Sequence, residues 1–401
     1  MSALPAPAEL TFRPLAEDDL PAVLDLLTAS LAGGPTGTRT ADFFGWKHRL
    51  GPFGASPGLV AETPQGRLAG VRLFLRWQWH EGSTGRTVTA VRPVDTATHP
   101  DFRGRGIFRR LTLDLLGQVA GEAELVFNTP NGNSLPGYRK MGWQELGRVP
   151  VALRPVRPAA FARGVRAALA RTPAGAAAPP ACGLPTARSW FADRVTLPDP
   201  PRTADRAAPD GPTTADRRNR TAGRAAPDAA TGSSGGPAGD PMAGADGPLA
   251  ELLRERAAAD RADPRLAVLR TPEFLRWRYG EAPGLDYRVL TCHRGGELTG
   301  LAVGRPRRRG PLAEFTLADV LVRPGDRDSA ARLLRAAARE SGCDHVATHL
   351  SPGTEAAAAA LRSGFLRAPR TGMTLAARTP TGRTALTLPD WRFTLGDLEV
   401  F

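Results

Sequence analysis

Lysine is nearly missing from this chain of 401 residues. It occurs only at Lys47 and Lys140, so almost all of the 53 basic side chains are arginine. Isoleucine occurs once, at Ile107, while alanine, glycine, proline and arginine abound, the bias that a GC-rich coding sequence imposes. The net charge of +13 therefore needs no polyanionic partner to explain it, and no nucleic-acid-binding motif stands beside it. Nucleic acid is not expected as the main ligand, whereas acidic small molecules, nucleotide cofactors included, remain natural ones. Cysteine is scarce too: Cys182, Cys292 and Cys343 are scattered and odd in number, which excludes a disulfide framework and points to a reducing, cytoplasmic setting. No run of about 18 apolar residues occurs, so no membrane-spanning helix is expected. The opening MSALPAPAEL has neither a charged n-region nor an apolar h-region, so no secretory signal is expected. With 41% hydrophobic and 23% charged residues, the composition is that of a soluble globular protein of two to three domains.

What is present repeats itself. "DFFGWKH" (Asp42 to His48) matches "EFLRWRY" (Glu273 to Tyr279), and "GRLAGVRL" around Gly70 matches "GELTGLAV" around Gly300. From Trp46 to Gly70 is 24 residues, and from Trp277 to Gly300 is 23. Later, "YRKMGW" around Gly142 matches "LRSGF" around Gly364. Ordered matches at near-equal spacing indicate two copies of one domain, not a solenoid with its far shorter period. Between the copies, residues 201–248 lack Val, Ile, Phe, Trp and Tyr and have Met242 as the large apolar side chain. Such a segment cannot bury enough surface to offset its ordering entropy, so disorder is expected there. The division expected is a catalytic unit at 8–154, an Ala/Pro/Gly/Arg-rich, mostly disordered linker at 155–248, and a degenerate second unit with a C-terminal segment at 249–401.

The first copy reads as a mixed α/β pattern. "LTFRPL" reads as a strand, "EDDLPAVLDLLTASLAGG" as a helix, and "LVAETPQGRLAGVRLFLRW" as a hairpin. "TAVRPVDTATH" is a further strand; Ile107 to Ala120 carries apolar residues at i, i+4 spacing; "ELVFN" is the next strand, before a short helix in "SLPGYRKMGW". Strand, helix, antiparallel strands, helix, strand, helix, strand makes an α/β domain with a mixed sheet.

One strand-to-helix junction looks built to hold a ligand: "DTATHPDFRGRGIFRRL", Asp95 to Leu111. Its glycines let backbone amides converge without interference from Cβ, a helix N-terminus faces the same spot, and Arg103 and Arg105 add donors suited to phosphate oxygens. The ligand expected is a pyrophosphate. No third glycine or later acidic residue supports a dinucleotide fingerprint, and no Gly-Lys-Ser/Thr follows to make a P-loop.

"HPDFRGRGIFRRL" together with "NSLPGYRKMGW" resembles the GNAT superfamily of acyl-CoA-dependent acyltransferases, with Phe108 standing where that family usually has a small residue. The two copies resemble a tandem-GNAT architecture. The resemblance implies that the amides of Arg103, Gly104, Arg105, Gly106, Ile107 and Phe108 cradle the pyrophosphate of acetyl-CoA. It implies that the strand ending at Thr98 pairs with the pantetheine, and that Asn133 contacts the cofactor arm. Tyr138 is implied as the acid at the departing sulfur, with Asp95, or His99 beside it, to take a proton from the amine. The second copy, "VRPGDRDSAARLLRAA", has lost the loop pattern and has no tyrosine before "SGF". Cys343, His345 and His349 would share one strand face, yet no fourth ligand is evident and no metal is expected. The function implied is N-acetyl transfer to a small-molecule primary amine, an aminosugar or natural product among the candidates. The alternatives are an aminoacyl-tRNA-dependent peptidoglycan transferase and a non-catalytic binding module.

Overall fold

The computed structural model describes residues 10–30, 40–170, 178–194, 245–369, 371–379 and 386–398. Its strands, in chain order, are β1 (Thr11–Pro14), β2 (Gly58–Glu62), β3 (Leu68–Glu81), β4 (Arg86–Thr98), β5 (Leu125–Asn128), β6 (Gln144–Val149) and β7 (Ala152–Pro155). These are followed by β8 (Leu266–Ala267), β9 (Arg288–Arg294), β10 (Glu297–Arg309), β11 (Leu312–Val322), β12 (His345–Thr348), β13 (Leu366–Arg367) and β14 (Met373–Arg378). They form two mixed sheets, the cores of two α/β lobes. The first runs β1-β2-β3-β4-β5-β14-β6, with β8 on the end of β3, and the second runs β13-β7-β12-β11-β10-β9.

The strand order contains a reciprocal exchange. β14 comes from the C-terminal part of the chain, yet it pairs antiparallel with both β5 and β6. β7 follows directly on β6, yet it pairs with β12 and β13 in the other sheet. Each lobe thus lends the other an internal strand. Of the expected 155–248 linker, the helix Pro158–Leu169 and the helix Ala187–Ala192 are described, the latter with Trp190 and Phe191 buried. The expected disorder of 201–248 falls mainly outside the described residues.

In the first lobe the helices are α1 (Leu20–Ser30), α2 (Ala41–His48), α3 (Ile107–Gln118) and α4 (Leu135–Lys140). α2 differs from the sequence reading, which has no helix there. Phe43, Phe44, Trp46, Lys47 and His48 are all buried, so α2 lacks the polar face by which an amphipathic helix is recognised. It is opened by Thr40, whose hydroxyl accepts from the Phe43 amide.

Matching sequence positions occupy matching places. Trp46 donates its indole N–H to the Trp277 carbonyl at 2.7 Å, and Trp277 returns the bond to the Trp46 carbonyl at 3.1 Å. The two rings stack with centroids 5.3 Å apart, in the manner of a two-fold contact. A Cβ on Gly70 would meet Ile107 of α3 at 2.7 Å, and one on Gly300 would meet Leu333 of the helix Arg327–Glu340 at 2.9 Å. Each glycine therefore lets the long helix of its lobe lie close against the sheet. Around the tryptophan pair one aromatic core, including Trp77, Phe127, Phe191, Phe274 and Trp391, is common to both lobes.

Candidate active site

β4 and β5 run parallel through Ala90–Leu125 and Val91–Val126 and then part. On the other side of β4 the ladder to β3 slips: Val71 pairs with Ala97 and Leu73 with Val94, so Asp95 and Thr96 both face Arg72. This is a β-bulge, and Asp95 sits in it at φ 40°, the left-handed region that a non-glycine residue seldom adopts. The parting strands open a cleft of about 650 Å³, lined from the bulge side by Asp95, Thr96 and Thr98 and from the other side by Asn128, Asn133 and Tyr138, with Arg103 and Phe108 at one end.

At that end the backbone turns into α3. Gly104 and Gly106 both have φ +76°. Nothing lies within 4 Å of a Cβ at either, so the glycines serve the left-handed turn itself and leave the space before it open. Gly106 is the N-cap and carries no side chain to cap α3; the first intrahelical bond runs from Arg110 N–H to the Gly106 carbonyl. The amides before Arg110 have no intrahelical acceptor and face outward, a setting that favours an anion. Arg103 is exposed beside the opening, and Arg105 lies over the Phe102 ring at 5.5 Å. The Ile107 side chain is buried in the core, so only its amide can serve a ligand.

Phe108 meets Tyr138 edge-on, with ring centroids 5.5 Å apart. The Tyr138 oxygen accepts a hydrogen bond of 2.7 Å from Nη2 of Arg72, a fully buried residue, whose Nη1 donates to the Thr96 hydroxyl. The Asp95 carboxylate is gripped from α2: Lys47 Nζ lies 2.6 Å and His48 Nε2 2.8 Å from Oδ2, and His48 Nδ1 lies 3.0 Å from Ser56 Oγ. His99 is not brought to the cleft. Its Nδ1 accepts from the Asp101 amide and its Nε2 faces Arg67.

Sequence reasoning overlooked Arg72, Lys47, His48 and Arg92. Arg92, buried in the cleft wall, donates to the Asp397 carbonyl at 2.7 Å, to the Leu398 carbonyl and to Thr129 Oγ1 at 3.1 Å. One signal was available for Arg72: a charged residue interrupts the apolar run "GVRLFL" where the repeat has Ala302.

The second lobe treats the same features differently. The N-cap of its long helix is Asp326, whose carboxylate accepts from the Ser329 amide at 2.9 Å and the Ser329 hydroxyl at 2.7 Å, filling the position that Gly106 leaves open. Where β11 and β12 part, the C-terminal segment lies between them. The Ser351 hydroxyl is hydrogen-bonded to both the carbonyl and the amide of Phe393, and Arg270 pairs with Asp319 of β11 and with Asp397. Beside this segment lies a small, partly open cavity of about 90 Å³. Asp319 also accepts from the Tyr279 hydroxyl at 2.5 Å. Tyr279 matches His48 in the repeat, so in both lobes an acid on the equivalent strand grips the end of the tryptophan-bearing turn.

The three side chains weighed as metal ligands are committed elsewhere. His345 faces Glu314 at 3.1 Å, His349 Nδ1 donates to the Pro150 carbonyl at 2.7 Å, and Cys343 lies in the second lobe's core. Among the described residues no group of three or more His, Cys, Asp or Glu could hold a metal ion. None of the described helices is long and apolar enough to cross a membrane.

Residues 11–146 match the family model described as Acetyltransferase (GNAT) domain. No curated protein sequence matches the chain. Among solved structures, a GCN5-related N-acetyltransferase from Anabaena variabilis superposes with TM-score 0.53 at 11% identity, over 92% of this chain and 73% of that one. A conserved protein from Enterococcus faecalis V583, described as a probable N-acyltransferase, also has TM-score 0.53 at 11% identity, over 92% and 72% of the two chains. At such identity the likeness concerns architecture: the chain has the fold of the GNAT acetyltransferases.

Proposed function

We propose that the first lobe transfers an acyl group, acetyl in the first instance, from acyl-CoA to the primary amine of a small molecule. The observation that carries this reading is the uncapped N-terminus of α3, flanked by Arg103 and opening onto the cleft that contains Tyr138. Acetyl-CoA supplies the activated acyl group as a thioester. The Arg103 amide, expected in the cradle, instead donates to the Pro100 carbonyl at 3.3 Å. The amides from Gly104 to Phe108 therefore hold the pyrophosphate with the Arg103 side chain beside them, and the open space before Gly104 and Gly106 fits that task. Asn133 and Thr98 face the cleft where the arm of the cofactor runs. Tyr138, whose hydroxyl lines the cleft, gives a proton to the departing sulfur. Asp326 and the C-terminal segment fill the equivalent spaces in the second lobe, so one cofactor per chain is expected.

Asp95 is the carboxylate among the described residues lining the cleft, and it is the proposed acceptor of the amine proton. The recurrence of its contact as Asp319 with Tyr279 favours a second reading, in which Asp95 only braces α2. The acceptor is proposed, on the family resemblance alone, as an aminosugar or a natural-product amine.

Calorimetric titration of acetyl-CoA tests the core of this reading. One site per chain is expected, lost in Gly106→Asp, which puts into α3 the carboxylate cap that Asp326 provides in the other lobe. No binding by the unaltered chain would remove the acyl-CoA function and leave the tRNA-dependent and non-catalytic readings.

A further inference from the structure

Arg72 is a buried guanidinium in the middle of a β-strand, behind the Thr96 and Tyr138 side chains that line the cleft. Burying a charge is costly unless something compensates it. Here no carboxylate lies within ion-pair distance of Arg72 among the described residues, and its Nε has no hydrogen-bond partner. What surrounds it is aromatic, with the rings of Phe74, Phe108 and Tyr138 all within 5.2 to 5.4 Å of the guanidinium carbon. Its two terminal nitrogens donate to the Thr96 and Tyr138 hydroxyls, both of which line the cleft.

The internal repeat shows that the fold does not require this arginine. Counting from the matched glycines, Arg72 falls on Ala302 and Tyr138 on Ala360. The backbone bears out the second match. Met141 and Trp143 donate their amides to the Tyr138 carbonyl as Ser363 and Phe365 do to that of Ala360. Ala302 is fully buried, and Ala360 packs against the same core. Arginine and tyrosine are thus present together in the lobe with the open cleft and replaced together by alanine in the lobe whose cleft is filled.

We propose that Arg72 is a positioning residue of the transfer reaction, acting through Tyr138. This rests on the proposed acyl transfer in the first lobe. A phenol oxygen has one proton to give and lone pairs to receive. With Arg72 donating to a lone pair, the Tyr138 proton is left to point into the cleft. As the bond from acceptor nitrogen to acyl carbon forms and the carbon–sulfur bond breaks, the sulfur takes that proton. The phenolate left behind lies 2.7 Å from a guanidinium, whose charge then has its counter-ion. The proton lost by the amine goes to Asp95, or to solvent where Asp95 only braces α2, and solvent restores one to Tyr138.

The test uses the full chain, with acetyl-CoA as donor and hydroxylamine as a small acceptor that needs no fitted pocket. Acetyl-CoA binding is measured by calorimetry and thiol release by steady-state kinetics in Arg72→Met, Arg72→Lys, Tyr138→Phe and the combined variants. Arg72→Met and Tyr138→Phe should each lower turnover by about 10²-fold while acetyl-CoA affinity changes by less than about 3-fold. The combined variant should lose little beyond Tyr138→Phe alone, because one residue works through the other. Arg72→Lys should recover part of the loss, but only where Tyr138 is present. If Arg72→Met no longer binds acetyl-CoA, Arg72→Lys with and without Tyr138→Phe carries the same comparison. Losses that multiply, or an arginine change without effect on turnover, overturn the role of Arg72 while leaving acyl transfer standing. Absence of acetyl-CoA binding in the unaltered chain overturns the acyl-transfer reading itself.

Discussion

At the scale of single residues, the Asp95 carboxylate holds two groups of α2, so its removal has a structural cost whatever else it does. Asp95→Asn removes a carboxylate 2.6 Å from the buried Lys47 ammonium and should lower the unfolding free energy by about 3 kcal/mol, read from denaturant titration. If turnover also falls while acetyl-CoA binding is kept, Asp95 takes the amine proton; if stability alone falls, it is a brace. Cys343 offers a simpler check. Burial, with Cys182 nearby adding to it, pushes its thiol up to about 12, so it should resist iodoacetamide at pH 8 until the chain is unfolded. The glycine–arginine loop and Tyr138 were legible in the sequence because their chemistry is tied to short spacings. Arg72 and Arg92 were not, because each sits in an otherwise apolar strand and owes its meaning to partners that are remote in sequence.

Among the elements, the connection from β6 to β7 carries a pH-sensitive tie. His349, just after β12, donates Nδ1–H to the Pro150 carbonyl. Burial pushes its imidazole below the ordinary value, and the hydrogen bond to Pro150 offsets this only in part. The unfolded chain therefore takes up a proton near pH 6.5 that the folded chain does not, and stability falls as the pH drops through that value. His349→Gln, which keeps a donor, should reduce the slope of stability against pH between 7.5 and 5.5, by at most about 1.4 kcal/mol per pH unit. Thermal melts across that range measure it. Most elements of the first lobe could be read from periodicity, because strands with one buried face and the amphipathic α3 announce themselves. α2 could not, since its buried residues, Phe43, Phe44, Trp46, Lys47 and His48, run almost continuously and include two charged types, so no apolar period shows.

For the whole molecule, two similar lobes were legible from the repeat, but the partners of β7 and β14 were not. Short apolar strands look alike, and nothing local says which sheet will take them. The exchange makes the lobes mutually dependent. Residues 1–154 expressed alone lack β14 between β5 and β6 and should be largely insoluble. Fragments 1–194 and 245–401 expressed together should instead co-elute on size exclusion as one complex, because every described contact between them survives the cut. Separate elution would show that the exchanged strands and the tryptophan pair do not suffice to hold the lobes. During synthesis the same exchange sets a schedule. β5 and β6 are made early, but the strand that belongs between them is made near the end, roughly ten to fifty seconds later at ordinary rates of elongation. Until then the nascent first sheet has a gap with two unpaired edges, and the cell must keep other chains from filling it.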